Sequence, residues 1–211
     1  HPDHPNLYTL YTHVYNDTAI ADCVETRIGI RRISFSKSEG FQINDQPYRF
    51  RGANRVQDYP YVGWAMGNIG QQRDVKLLKE AGFDYIRGSH YPPDPAFLDA
   101  CDQFGILVLD EIPGFQYVGG DLFKSRSYQT MRDMIRRDRN HPCVIAWELS
   151  LNETNFDSTY AQTAMDIGHA EYPGDQCYVA AWKFDSIYDI YIATPTAGAR
   201  TYSGNKPLII R

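Results

Sequence analysis

Residues 143–154 read Cys143-Val144-Ile145-Ala146-Trp147-Glu148-Leu149-Ser150-Leu151-Asn152-Glu153-Thr154, and the reading of this stretch decides the fold. It opens as an apolar run with β-branched members, long enough for a buried strand. It closes on an amide beside a carboxylate. In a parallel α/β barrel, the C-terminal end of such a strand opens onto the face where barrel active sites lie. Asn and Glu are also common in solvated loops, so the flanking sequence has to supply the context.

Working outward, residues 106–112 form a second run without polar alternation, as expected of a strand covered on both faces. Residues 94–104 precede it as a helix, with Asp94 as its cap and Gly105 as its stop. Strands are expected at 48–54 and 83–89, and beyond the central stretch at 176–182, 188–193 and 207–210. Helices are expected at 71–81, 127–139 and 159–172, the first ended by Gly82. Repeated βα units with buried strands imply a parallel sheet flanked by helices. No Gly-rich phosphate fingerprint follows the first strand, which disfavours an open doubly wound sheet. The expected fold class is therefore α/β, a (β/α)8 TIM barrel. Seven strands fit before Arg211, so the barrel is expected to be incomplete at its C-terminal end.

Upstream, residues 1–36 read as strands, rich in Tyr and Thr over 7–15, with Asn16-Asp17 as a turn. Two or three strands do not make a stable sandwich. The expectation is the tail of a β domain over 1–36, followed by the barrel over 37–211.

The chain has 211 residues, is 43% hydrophobic and 22% charged, and carries a net charge of −5. These values describe an ordinary globular composition, and the acidic balance argues against a nucleic-acid partner. No apolar run reaches the roughly 18 residues that span a bilayer, so no membrane partner is expected. The four cysteines, Cys23, Cys101, Cys143 and Cys177, fit no metal-ligand spacing. Small buried thiols are expected for Cys143 and Cys177. With 16 Tyr and 3 Trp, the chain has aromatic surface available for stacking on sugar rings.

Glu153 is the candidate general acid/base. A glycosidic oxygen leaves poorly until protonated, and a carboxylic acid held protonated can supply the proton. Asn152 beside it can hydrogen-bond a sugar hydroxyl near the reacting carbon. Glu111, ending the third barrel strand with Asp110, can repel negative charge on Glu153, bind a sugar hydroxyl, or simply pair with a barrel Arg. His90 ends the second strand in Ser89-His90-Tyr91-Pro92-Pro93, as either ligand contact or structural hydrogen-bonding group. Asn54 and Arg55 end the first strand, and Trp182 ends the fifth, where it can wall a sugar ring or belong to the core. Glu148 lies within its strand, facing either barrel core or helices, and is given no catalytic role. Neither a close His pair nor a carboxylate cluster supports a metal site, and no cofactor is expected. No nucleophile elbow is present.

Together these pieces resemble glycoside hydrolase family 2, which includes β-galactosidases, β-glucuronidases and β-mannosidases. The matching text begins with His4-Pro5-Asn6-Leu7-Tyr8, Gly29-Ile30-Arg31 and Phe41-Gln42-Ile43-Asn44. It continues through Arg51-Gly52-Ala53-Asn54-Arg55, Ser89-His90-Tyr91-Pro92, Cys101-Asp102-Gln103-Phe104-Gly105 and Asp110-Glu111. Arg136-Arg137-Asp138-Arg139-Asn140-His141-Pro142 then leads to Trp147 and Asn152-Glu153. The resemblance implies an immunoglobulin-like sandwich before a (β/α)8 barrel, and retaining hydrolysis by two glutamates, with Glu153 as acid/base. The nucleophile it implies follows a strand reading like Lys206-Pro207-Leu208-Ile209-Ile210, and so falls after Arg211.

Three departures from the family pattern stand out. Val56-Gln57 replaces the frequent His-Glu after Asn54-Arg55. Pro113 stands where magnesium-dependent members carry a His. One extra residue separates Trp147 from Glu153.

The expected function is a retaining exo-β-glycosidase, β-galactosidase-like, acting on a carbohydrate substrate and inactive over these residues alone for want of the nucleophile. The alternative is a non-catalytic carbohydrate-binding or structural barrel. A barrel short of a strand exposes two sheet edges, so the isolated 211-residue polypeptide is expected to be poorly stable. A cooperative denaturant transition from a monodisperse monomer would overturn that expectation.

Overall fold

The computed structural model describes residues 1–150, 153–194 and 201–210. Three sheets are present among them. Tyr8–Asn16 (β1) and Ala19–Ile28 (β2) form an antiparallel hairpin. Ile33–Ser36 (β3), Gly40–Ile43 (β4) and Gln46–Pro47 (β5) form a small antiparallel sheet. The third sheet has seven parallel strands in sequence order: Gly52–Arg55 (β6), Tyr85–Gly88 (β7), Leu107–Glu111 (β8), Val144–Glu148 (β9), Val179–Ala181 (β10), Ile190–Ala193 (β11) and Leu208–Ile210 (β12). Four helices are interleaved with them: Asn68–Glu80 (α1), Pro95–Phe104 (α2), Asp121–Asp138 (α3) and Ser158–Glu171 (α4). Unbroken strand order with a helix between the early strands is the βα pattern of a TIM barrel. The sheet curls into an incomplete barrel. A cleft of about 320 Å³ runs along its open side, between Phe50 and Asn54 by β6 and Pro207 and Ile210 by β12.

Strand alternation produces two cores. Tyr85, Leu107, Leu109, Ala146, Ala180, Ile190, Ile192 and Ile209 turn into the barrel, where Ile33, Phe41 and Ile43 of the small sheet join them. The opposite faces of the same strands, including Ile86, Val108, Trp147 and Val179, pack against Val75, Phe97, Met131 and Tyr160 of the helices. This two-sided burial explains why residues 106–109 and 143–147 read as continuous apolar runs. Helix ends follow local chemistry. The Asp94 side chain accepts from the Ala96 amide at 2.8 Å to start α2, and Gly105 ends it at φ 70°, a left-handed conformation that disfavours any residue with a Cβ. Asp157 caps α4 by accepting from the Tyr160 amide at 2.7 Å.

The strands and helices expected from sequence are all present, with ends shifted by a few residues. The exceptions are instructive. Residues 31–36 belong to a sheet with β4 and β5, a hairpin turned at Asn44 and Asp45, both with positive φ. Residues 48–51 are not strand; Tyr48 donates from its hydroxyl to Asp84 at 3.0 Å instead. Helix α3 begins six residues earlier than the expected 127, at Asp121, in what reads as a loop because of Gly119 and Gly120. Cys143 and Cys177 are buried free thiols, as expected, and so is Cys101.

The N-terminal segment is fastened to the barrel. Arg31 donates through Nε to the Pro142 carbonyl at 2.7 Å and through Nη2 to the Val144 carbonyl, just where β9 begins. Lys79 holds the Pro2 carbonyl at 3.1 Å. The hairpin β1–β2 is exposed along nearly its whole length.

Asp110 is an anomaly in the helix-facing layer. It is fully buried, and Asp138 of α3 lies beside it. Burial first, and the neighbouring Asp138 second, push its pKa well above the ordinary carboxylate value. A raised folded-state pKa gives stability that is complete below the unfolded pKa, near 3.9, and is lost as pH rises through the folded value. Asp110→Asn removes that dependence. The variant is expected to lose less stability than the parent between acid and alkaline pH, measured as urea midpoints in the intact protein.

Candidate active site

Arg87 in β7 faces the barrel interior and is 1% exposed. Its guanidinium binds Glu148 of β9 with two bonds, Nε to Oε2 at 2.6 Å and Nη2 to Oε1 at 2.8 Å. The same Nη2 reaches Oε2 of Glu111, the last residue of β8, at 2.9 Å. Both carboxylates are fully buried, and they stand directly opposite each other in the β8–β9 ladder. Burial opposes the charge on Arg87, but Glu148 and then Glu111 outweigh it, so its pKa is raised and it stays protonated. Nη1 donates to Ser89 Oγ at 3.2 Å and to Asn54 Oδ1 at 3.4 Å.

Two carboxylates around one guanidinium leave excess negative charge, and His90 meets it at the rim. Its Nδ1 lies 3.2 Å from both Glu111 oxygens. As the N–H donor to a carboxylate, Nδ1 fixes the ring's orientation. The imidazole stacks on Phe115 of the loop after β8, with centroids 4.7 Å apart and planes at 9°. Deeper in the barrel, the Tyr85 hydroxyl is buried without a hydrogen-bond partner. Burial, then the charge of Glu148, raises its pKa, so it remains a neutral phenol.

Glu153 follows β9 on the same rim. It is solvent-exposed, at φ 48°, a left-handed conformation uncommon for a residue with a Cβ. Gln116 Nε2 donates to its Oε2 at 3.4 Å. Next to it, Thr154 is buried, its hydroxyl donating to the Gly114 carbonyl at 3.0 Å. The loops after β8 and β9 are thus tied together at the point where Glu153 emerges.

Of the residues singled out from sequence, Asn54, His90 and Glu111 converge through Arg87, and Glu153 stands on the same rim. Asn152 lies outside the described residues. Arg55 is not brought into this group. Alternation turns it to the helix side of β6, where it pairs with Asp74 at 2.7 Å, takes Gln71 Oε1 at 2.8 Å and covers the Phe97 ring at 4.2 Å. Trp182 is half-buried at the end of β10, edge-on to Phe156, with the Lys183 ammonium 5.3 Å from its ring. Of the readings open for Glu111, the ion pair with a barrel Arg is present, and that Arg is Arg87.

Arg87 and Glu148 were the residues that sequence reasoning underrated. A signal was available. A charged side chain inside an otherwise apolar strand is costly unless it is paired, and residues 87 and 89 share a strand face.

A curled parallel sheet with charged groups gathered at the C-terminal ends of its strands is the architecture of a TIM-barrel domain with its site on that face. Residues 35–171 match the glycosyl hydrolases family 2, TIM barrel domain, and the chain belongs to that family. It is 41% identical over 170 residues to a β-galactosidase of Thermoanaerobacter pseudethanolicus, covering 80% of this chain and 23% of that protein. It is 34% identical over 153 residues to the β-glucuronidase of Mus musculus, covering 70% and 24%. Among solved structures, a β-glycosidase from Bacteroides vulgatus superposes with TM-score 0.83 at 30% identity, over 90% of this chain and 26% of that one. The chain spans about a quarter of the length of these relatives.

Arg87→Met leaves Glu111 and Glu148 buried without their shared counter-charge. It is expected to destabilise the intact protein by about 3–5 kcal/mol. Adding Glu148→Gln to that variant should recover part of the loss, read as denaturant midpoints at constant m.

Proposed function

We propose that the chain is the acid/base-bearing part of a retaining exo-β-glycosidase, with a β-galactoside as the favoured substrate. Glu153 donates a proton to the glycosidic oxygen as the bond breaks, and later takes one from the attacking water. His90 binds a sugar hydroxyl from the second strand end, with Glu111 at the third strand end serving that contact through its hold on the His90 ring, and Asn54 adds an amide from the first. Trp182 walls the sugar from the fifth. Asn152 is assigned a hydroxyl near the reacting carbon. Arg55 is left as a brace between β6 and α1.

The second carboxyl group of a retaining pair stands about 5–5.5 Å from the first. We assign it to a position that follows β12, after Arg211. The β1–β2 hairpin is taken as part of an immunoglobulin-like sandwich, which gives its exposed faces a partner, whereas Ile33–Ser36 belong with the barrel.

The observation that carries this reading is the position of Glu153. It is an accessible carboxylate at the rim, one loop away from a buried and fully committed charge network. Glu111 and Glu148 are already bound to Arg87 and cannot easily exchange protons with a substrate; Glu153 can. Identity of 41% and 39% to two β-galactosidases favours the galactoside, and relatives that are glycosidases favour hydrolysis over the non-catalytic barrel.

Glu153→Gln in the intact protein should lower kcat on alkyl β-galactosides by ~10²–10⁴-fold. Substrates with acidic phenol leaving groups need little protonation and should suffer much less. Equal losses on the two kinds of substrate would remove the acid/base assignment.

A further inference from the structure

The loops after β6, β7 and β8 carry an aromatic ledge that the chemistry above does not use. Trp64 is 68% exposed, yet it is held in place. Its ring leans on Tyr91 with centroids 5.1 Å apart, and its carbonyl accepts from Gln57 Nε2 at 3.1 Å. Tyr91 in turn donates from its hydroxyl to the Gln57 carbonyl at 3.0 Å. One glutamine therefore fastens both aromatic residues. His90 follows Ser89 and precedes Tyr91, and it is stacked on Phe115, itself 47% exposed. Gln116, the next residue, donates to Glu153. Three contacts and two chain neighbours thus link the carboxylate at 153, through Gln116, Phe115 and His90, to Tyr91 and Trp64.

A large exposed indole in a fixed position needs a reason beyond the core, because it buries little of its own surface. Its place on the rim supplies one. A general acid must touch the oxygen that joins the two halves of the substrate, so the leaving half lies on the side of that acid. An aromatic surface on the same rim, joined to Glu153 through Gln116, Phe115, His90 and Tyr91, is available to that leaving half. The margins of the ledge are polar. Asp58 is exposed on the Trp64 loop, and Arg73 donates to the Tyr59 hydroxyl at 3.0 Å. A flat apolar face with hydrogen-bonding groups at its edge suits a pyranose, which presents C–H bonds on its faces and hydroxyls around its rim.

We propose that Trp64, stacked on Tyr91, is a binding platform for a second sugar ring, the leaving residue of a disaccharide or longer glycan. This rests on Glu153 being the acid/base. The platform pre-organises its aromatic faces, so little conformational freedom is lost when the ring docks.

The test compares the intact protein with its Trp64→Ala variant on two substrates sharing one glycon: a β-linked disaccharide and the methyl β-glycoside. Losing one stacked ring should lower the ratio of disaccharide to methyl-glycoside kcat/KM by about tenfold, chiefly through KM. Trp64→Phe should restore most of the ratio, which a merely structural defect would not. An unchanged ratio in Trp64→Ala overturns the platform while leaving the acid/base reading intact. Absence of turnover on either substrate by the parent protein overturns both.

Discussion

The pairing of Arg87 with two buried carboxylates is the constraint from which the rest of the barrel mouth follows. A guanidinium and two carboxylates cannot be removed from water singly, because each would carry a desolvation cost of several kcal/mol. Together they satisfy one another. The bidentate bond to Glu148 locks β7 to β9 across the interior, and the bond to Glu111 ties in β8 between them. Three strand ends are thereby held in fixed relation at the face where the loops gather.

This arrangement separates structural charge from available charge. Glu148 and Glu111 are spent on Arg87, and Glu111 is spent a second time on His90. His90 is held on both sides, by a carboxylate in its plane and by the Phe115 ring against its face. Glu153 is treated differently: it is exposed, contacted at its margin by Gln116, and carried on a left-handed backbone turn. The two environments differ most in accessibility, which a group that must touch the substrate requires and a strut does not.

The packing beneath is built to support that mouth. The small sheet of β3, β4 and β5 contributes Ile33, Phe41 and Ile43 to the barrel interior, while α1 to α4 cover the outside. Arg31 binds carbonyls at the very start of β9, the strand whose far end leads to Glu153. The N-terminal segment and the rim are thus connected through one strand, with the apolar run between Val144 and Trp147 buried on both faces along the way.

Sequence alone determined the βα repeat, the cap at Asp94 and the stop at Gly105, because each depends on local patterns: hydrophobic period, side-chain oxygens near free amides, a glycine's tolerance of positive φ. It also placed His90, Glu111 and Asn54 at strand ends. Only the tertiary structure decided that Arg55 turns away toward Asp74, that Glu148 faces inward to Arg87, and that residues 31–47 make a sheet contributing to the barrel interior. Those outcomes depend on which face of a strand meets which neighbour across long stretches of chain. A one-residue difference in pleat reverses the answer, and no local pattern records it.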